Sequence, residues 1–200
     1  GRAQATAKPF LEKSGLSAEN CDWLREFGGK LAVPEGERPL PWDILPRVWQ
    51  SSDGYFSLDG WLGNPAVVKG GAADEYRRVT AEFDNVMKKN YDLERDGLIY
   101  KGENSDRTIA FFCHFALGSV LVSHLTGISP VLLWQGFNMP PSAVTTMRTE
   151  ERRLGEVIFR CCGFGDVSHL RMGGEPVSSM GMFPELYVGD DADTSCGSMI

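Results

Sequence analysis

Apolar positions along the chain change period several times, and each change marks an element. From Ala3 to Ser14 the alanines, Phe10 and Leu11 fall on one face at helical spacing, with Gly15 as a stop. Pro9 sits inside this stretch and removes a backbone donor, which predicts a kink. Cys21 to Phe27 reads as a short strand or extended segment running into Gly28-Gly29. Tyr76, Val79, Phe83, Val86 and Met87 recur at helical spacing among charged neighbours and predict an amphipathic helix over Asp74 to Tyr91. Ile109 to Cys113 is a short, wholly apolar run, the pattern of a strand buried on both faces. A helix is expected straight after it, from Phe115 to about Leu125. Ser142 to Arg148 alternates as a strand, Thr149 to Arg153 reads as a turn, and Leu154 to Cys162 reads as the returning strand of a hairpin. Helix and strand alternate early and a hairpin comes late, which favours an α/β fold with a three-layer α/β/α sandwich.

Two stretches break the pattern. From Pro34 to Gly71 the composition shifts to Pro, Gly, Trp and Asp, with at most a short helix near Trp42 to Gln50. A long irregular excursion of this kind is expected to cap a site. Its aromatics, Trp42, Trp49, Tyr55, Phe56 and Trp61, are expected chiefly to hold it together, the alternative being that they line a pocket. From Arg171 to Ile200 the chain is rich in Gly, Ser, Met and acids and reads as a peripheral tail.

Composition narrows the function classes. A length of 200 residues with 42% hydrophobic and 24% charged residues suits a soluble globular protein with a sizeable core. The net charge of -7 argues against nucleic-acid partners and anionic membrane surfaces. It leaves room for an anionic small molecule held by local arginines. No apolar run approaches the roughly 20 residues that span a bilayer, and the first residues do not read as a signal peptide. The cysteines at 21, 113, 161, 162 and 196 have no metal-ligand spacing, and their odd number suits reduced thiols in the cytoplasm. No metal or cofactor is expected.

Of the histidines, His124 falls inside a helical pattern and His169 follows the last strand, so both read as structural or surface residues. His114 differs, because it stands at the end of an apolar strand with a helix opening behind it. In open α/β sheets ligands bind at strand ends, and the free amides of a helix N-terminus add an anion site. At such a place a histidine serves as metal ligand, general base or nucleophile. Arg2 at the first helix and Glu26 at a junction with glycines are unremarkable taken singly.

Taken in order, Gly1-Arg-Ala-Gln-Ala-Thr-Ala, Trp23-Leu-Arg-Glu-Phe-Gly-Gly, the strand–His114–helix unit, Pro141-Ser-Ala-Val-Thr and Gly165-Asp-Val-Ser-His-Leu resemble the histidine phosphatase superfamily, the phosphoglycerate mutase-like family. The resemblance runs from Gly1 to about Leu170. It implies a phosphatase-like α/β domain over 1–170, with a cap insertion at about 34–71 and the tail at 171–200. It implies a phosphomonoester hydrolase acting through a phosphohistidine, with a small-molecule phosphomonoester as partner and no cofactor. Arg2 would grip the phosphoryl oxygens, His114 would donate to them, the backbone N–H of Phe115 would add a donor, and Glu26 would protonate the leaving group. A mutase-type phosphotransferase and a non-catalytic phosphate-binding relative are the alternatives, and oligomeric state stays open, a homodimer included. Two features depart from the family. Phe115 stands where the family usually has glycine, and no Arg-His-Gly motif, which would carry the nucleophile on a first strand, occurs in the 200 residues. The nucleophile is therefore expected upstream of these residues. A sheet without its central strand would expose two unpaired edges, which weighs against the other explanation, a truncated and inactive relative.

Overall fold

The computed structural model describes residues 1–34 and 38–182, together with the backbone of 186–187 and 193–194. The chain forms a mixed α/β structure whose longest elements are the ones with the clearest periods. Helix α1 (Arg2–Ser14) ends at Gly15 as expected, and continues through Pro9. Helix α5 (Ala72–Tyr91) buries Tyr76, Val79, Phe83 and Met87 along one stripe. Its first turn carries Asp74 and Glu75 and its last turn Lys88 and Lys89, charges that complement the helix dipole. Helix α6 (Phe115–Thr126) is apolar nearly all round and accordingly central: Ala116, Leu117, Val120, Leu121, Val122 and Leu125 are all buried. It lies between α5 and the sheet. Each Leu, Val or Phe so buried contributes roughly 1.5–3 kcal/mol.

The described sheet has four antiparallel strands, β1 (Glu94–Asp96), β2 (Ile99–Lys101), β3 (Val144–Arg153) and β4 (Glu156–Asp166), in the order β1-β2-β4-β3. The late hairpin forms as predicted, with one correction. Thr149 to Arg153 is not the turn but continues β3, and the chain reverses at Leu154-Gly155 between the paired Arg153 and Glu156. Gly155 has φ +79, the left-handed conformation a tight reversal requires, and no run of charged residues supplies it. A further pair, β5 (Leu186–Tyr187) with β6 (Asp193–Thr194), lies in the tail. The rest of the tail beyond Met182 falls outside the described residues, so its predicted peripheral character does too.

Two predicted strands are corrected. Within Cys21 to Phe27 the chain makes a 3-10 turn at Asp22–Leu24 and joins no described strand, while Trp23 and Phe27 are both buried. Ile109 to Cys113 is extended but joins no ladder. Its apolar pattern asks for neighbours on both sides, and the described strands provide none.

The excursion is more helical than predicted. Besides α2 (Pro46–Gln50), which lies inside the expected range, it holds a 3-10 turn at Asp53–Phe56, α3 (Leu58–Gly63) and α4 (Pro65–Gly70). Side chains of Ser57 and Asn64 cap the last two helices through the N–H groups of Gly60 and Ala66. The aromatics pack, as expected. Trp61, wholly buried, lies 5.7 Å from Trp134 and 5.5 Å from Tyr76, ring centre to ring centre. Trp42 and Phe27 lie 6.4 Å and 5.6 Å from the same Trp134 ring. Trp134 belongs to α7 (Pro130–Gly136), a helix the pattern did not announce, and its indole N–H donates to the Ala116 carbonyl of α6. One aromatic box thus ties the excursion to the central helix. The short helix α8 (Ser168–Met172) closes the described fold.

Candidate functional site

His114 is the residue at which the extended run becomes helix. It has extended backbone angles (φ -128, ψ 168) and caps α6, its carbonyl accepting from Gly118 N–H at 2.8 Å. Because Phe115, Ala116 and Leu117 open the helix, their N–H groups have no partner within it. Glu26 reaches this end from far away in sequence. Its Oε1 accepts from the backbone N–H of Leu117 at 3.1 Å and from its own neighbour Phe27 at 2.9 Å, the first pair lying 91 positions apart. Phe27, buried against Trp134, anchors the segment that carries Glu26. The glutamate therefore sits on the helix N-terminus, held by a packed aromatic. Its Oε2 makes no described hydrogen bond.

Cys113, next to His114, completes the neighbourhood and was not singled out by spacing. Burial foremost, and the nearby Glu26 carboxylate, push its thiol up to about 11. A thiol so placed stays protonated at neutral pH and is not a nucleophile. The side chain of His114 is half-buried and makes no described hydrogen bond, which leaves both ring nitrogens for a ligand. The ring of Phe115 packs on the core while its N–H points out of the helix start.

Arg2 makes no described hydrogen bond or ion pair with this cluster. It stands exposed at the first position of α1, with no described ion pair or side-chain hydrogen bond. The other end of α1 does touch the extended run, Phe10 lying 6.0 Å from Phe112. His169, in α8, is exposed.

A second polar cluster surrounds His124, which is half-buried as its helical context suggested. Its Nε2 lies 2.8 Å from Asp84 Oδ1 on α5, and the same oxygen accepts from the Tyr100 hydroxyl at 2.5 Å. Arg95 donates to the Tyr100 hydroxyl and to the His124 carbonyl, at 3.1 and 2.6 Å, and lies over the Tyr100 ring. These bonds join α5, α6 and the β1–β2 hairpin. Every described partner is a side chain or carbonyl of the protein, so the cluster is a tie between elements. Asp84 lies on the polar border of the α5 stripe, where only the partner's position distinguishes it from a solvated carboxylate.

Among the described residues, no group of three or more His, Cys, Asp or Glu side chains is placed to hold a metal ion, and no helix is long and apolar enough to cross a membrane. A cavity of about 440 Å³ is not lined by His114; it lies against Asn104 to Ile109 and Met147 to Thr149. Comparison with family models, with curated proteins and with solved structures gives no match for this chain.

Proposed function

We propose that the chain forms the phosphate-binding part of a phosphomonoester hydrolase that works through a phosphohistidine, with the nucleophilic histidine on polypeptide outside these 200 residues. The complete fold is then a three-layer α/β/α sandwich of phosphoglycerate mutase-like type, with 34–71 as its cap, in the cytoplasm. The observation that supports this best is the hydrogen bond from Leu117 N–H to Glu26 Oε1, which sets a carboxylate beside His114 at the start of α6. The family resemblance assigns these residues to one site, and spacing in the sequence alone gives no reason for them to meet.

In this mechanism the phosphoryl group lies against the start of α6. His114 donates to one of its oxygens, and the free N–H of Phe115 to another, stabilising charge that grows as the phosphoryl group transfers. Glu26 gives a proton from Oε2 to the departing alkoxide while Oε1 keeps its bond to the helix, so the donor stays in place as it works. Once the phosphohistidine has formed, the same carboxylate takes a proton from the attacking water. The resemblance assigns the remaining contact to Arg2, whose fork of donors would reach the phosphoryl oxygens from the start of α1. The cap excludes bulk water, and its tryptophans serve that end by packing rather than by touching substrate.

Turnover of an aryl phosphate by polypeptide that includes the Arg-His-Gly segment tests the mechanism. An acid-labile phosphohistidine should accumulate, and H114A should lower turnover by about 10²–10³-fold, the loss typical of one oxyanion donor. The 200-residue chain itself should bind inorganic phosphate, measured by ³¹P NMR, and H114A should abolish that binding. Phosphate bound with no turnover in the longer polypeptide would favour a non-catalytic binding module. Unchanged binding and turnover in H114A would refute the site.

A further inference from the structure

Trp134 touches the candidate site from one side and the excursion from the other. Its indole N–H donates to the Ala116 carbonyl at 3.1 Å, and the next residue, Leu117, gives its N–H to Glu26 Oε1. Its ring centre lies 5.6 Å from that of Phe27, whose backbone N–H donates to the same carboxylate oxygen. The contacts thus close on themselves, from Trp134 through the start of α6 to Glu26 and back through Phe27. Trp134, Phe27, Ala116 and Leu117 are all buried. Phe27 is boxed by Gly29 as well, where an added Cβ would lie 2.8 Å from its Cε1. Close-packed groups of this kind pass a displacement on rather than absorb it. On the excursion side, the ring centres of Trp42 and Trp61 stand 6.4 Å and 5.7 Å from that of Trp134, and Gln135 Nε2 donates to the Trp42 carbonyl at 3.3 Å. Trp61 is as deeply buried as Trp134, yet its indole N–H has no described partner. Burial in the aromatic box therefore does not account for the bond that Trp134 makes to α6.

We propose that Trp134 is a positioning residue, which holds the Glu26 carboxylate at the start of α6 and ties its placing to the seating of the excursion. The role rests on the phosphatase reading of the site, in which Glu26 is the proton donor. As the bond from phosphorus to the ester oxygen breaks, that oxygen keeps the electron pair and takes the Glu26 proton. Trp134 touches neither substrate nor reacting atoms; it acts through Phe27 and Ala116. A displacement of about 1 Å in a reacting group costs up to about 10²-fold in rate. How much of that cost appears depends on the leaving group. A para-nitrophenolate departs without a proton and an alkoxide does not, so a misplaced donor slows an alkyl ester and spares the aryl one. Loss of folded protein, or of phosphate binding, slows both alike. The ratio of the two rates therefore separates positioning from packing.

The test compares para-nitrophenyl phosphate with phenethyl phosphate on the longer polypeptide that carries the Arg-His-Gly segment. Trp134→Phe keeps a ring and removes the N–H donor. It should lower kcat for the phenethyl ester by at least about tenfold and for the nitrophenyl ester by less than about threefold. Trp42→Leu, a change in the excursion, should shift the ratio in the same direction by a smaller factor. An equal loss on both esters in either variant, or no loss on either, would overturn the proposal and leave the phosphatase reading in place. Where the wild-type polypeptide turns over neither ester, that reading falls instead, and amide exchange in the 200-residue chain decides whether Trp134 holds Glu26. Trp134→Phe should then speed exchange at Leu117 and Phe27 by at least about tenfold relative to Val79 and Phe83 of α5. Unchanged relative rates would overturn the proposal.

Discussion

His114 and Glu26 show how little a single residue type reveals until a neighbour is fixed. Each is ordinary in sequence, and what sets them apart is a bond to one end of one helix. The buried titratable groups behave in the same way, and they carry a pH prediction. Cys113 is raised from 9.0 to about 11 and Tyr76 from 10.0 to about 12, both chiefly by burial, and Tyr100 is pushed up by burial and by its bond to Asp84. A folded-state pKa above the unfolded one means that the folded chain keeps a proton the unfolded chain has released. The stability so gained is complete below the unfolded pKa and is lost as pH rises through the folded one. The urea midpoint should therefore fall from about pH 9 upward, first through the thiol between 9 and about 11 and then through Tyr76 between 10 and about 12. Each contributes on the order of 2–3 kcal/mol. Cys113→Ala should flatten the first part of that decline, and an unchanged slope would contradict the burial of the thiol. At Asp84, replacement by Ala strips His124 Nε2 and the Tyr100 hydroxyl of one shared acceptor. A loss of about 1–3 kcal/mol is expected in urea unfolding.

Elements were legible in proportion to their length and the regularity of their period. Helices α1, α5 and α6 and the late hairpin stand within a few residues of where the pattern puts them, since a long amphipathic or apolar stretch has one way to hide its stripe. Helix α7 and the short helices of the excursion were not legible, because five to seven residues hold too few turns for a period to appear. Their places depend on close approaches instead. At Gly70 a Cβ would lie 2.3 Å from the Lys30 carbonyl oxygen and 2.5 Å from the Ala32 nitrogen, both backbone atoms that cannot swing aside. The Ala32 N–H bonds to the Ala66 carbonyl across this contact, so α4 is pressed onto the 30–32 segment. Gly70→Ala should destabilise the protein by about 1–3 kcal/mol, read as a lower urea midpoint, whereas Gly63→Ala, with nothing near its Cβ position, should not.

At the scale of the whole molecule, stability is uneven. The aromatic box around Trp134 and the α5–α6 stripe are dense, while 103–113 crosses the surface with few main-chain bonds. Segments of that kind open locally at little cost. Trypsin should cut first after Arg107, which is exposed and held by its bond to the Asn90 carbonyl and its stacking on Tyr91. Mass spectrometry of the early fragments checks this, and first cuts inside α5 or β4 would contradict it. The candidate site spans both regimes: Glu26 is anchored in the dense part, and His114 closes the loose one. By itself the sequence determined which stretches bury a face, where the long helices and the hairpin lie, and that one histidine stands where an apolar run turns into a helix. These follow from local spacing, which a chain carries whatever surrounds it. Only the tertiary structure decided that Glu26 meets the start of α6, that His124 is tied to Asp84, and that Ile109–Cys113 pairs with none of the described strands. Contacts between residues tens of positions apart depend on how elements dock, and whether an apolar run becomes a strand depends on a neighbour that its own residues cannot supply.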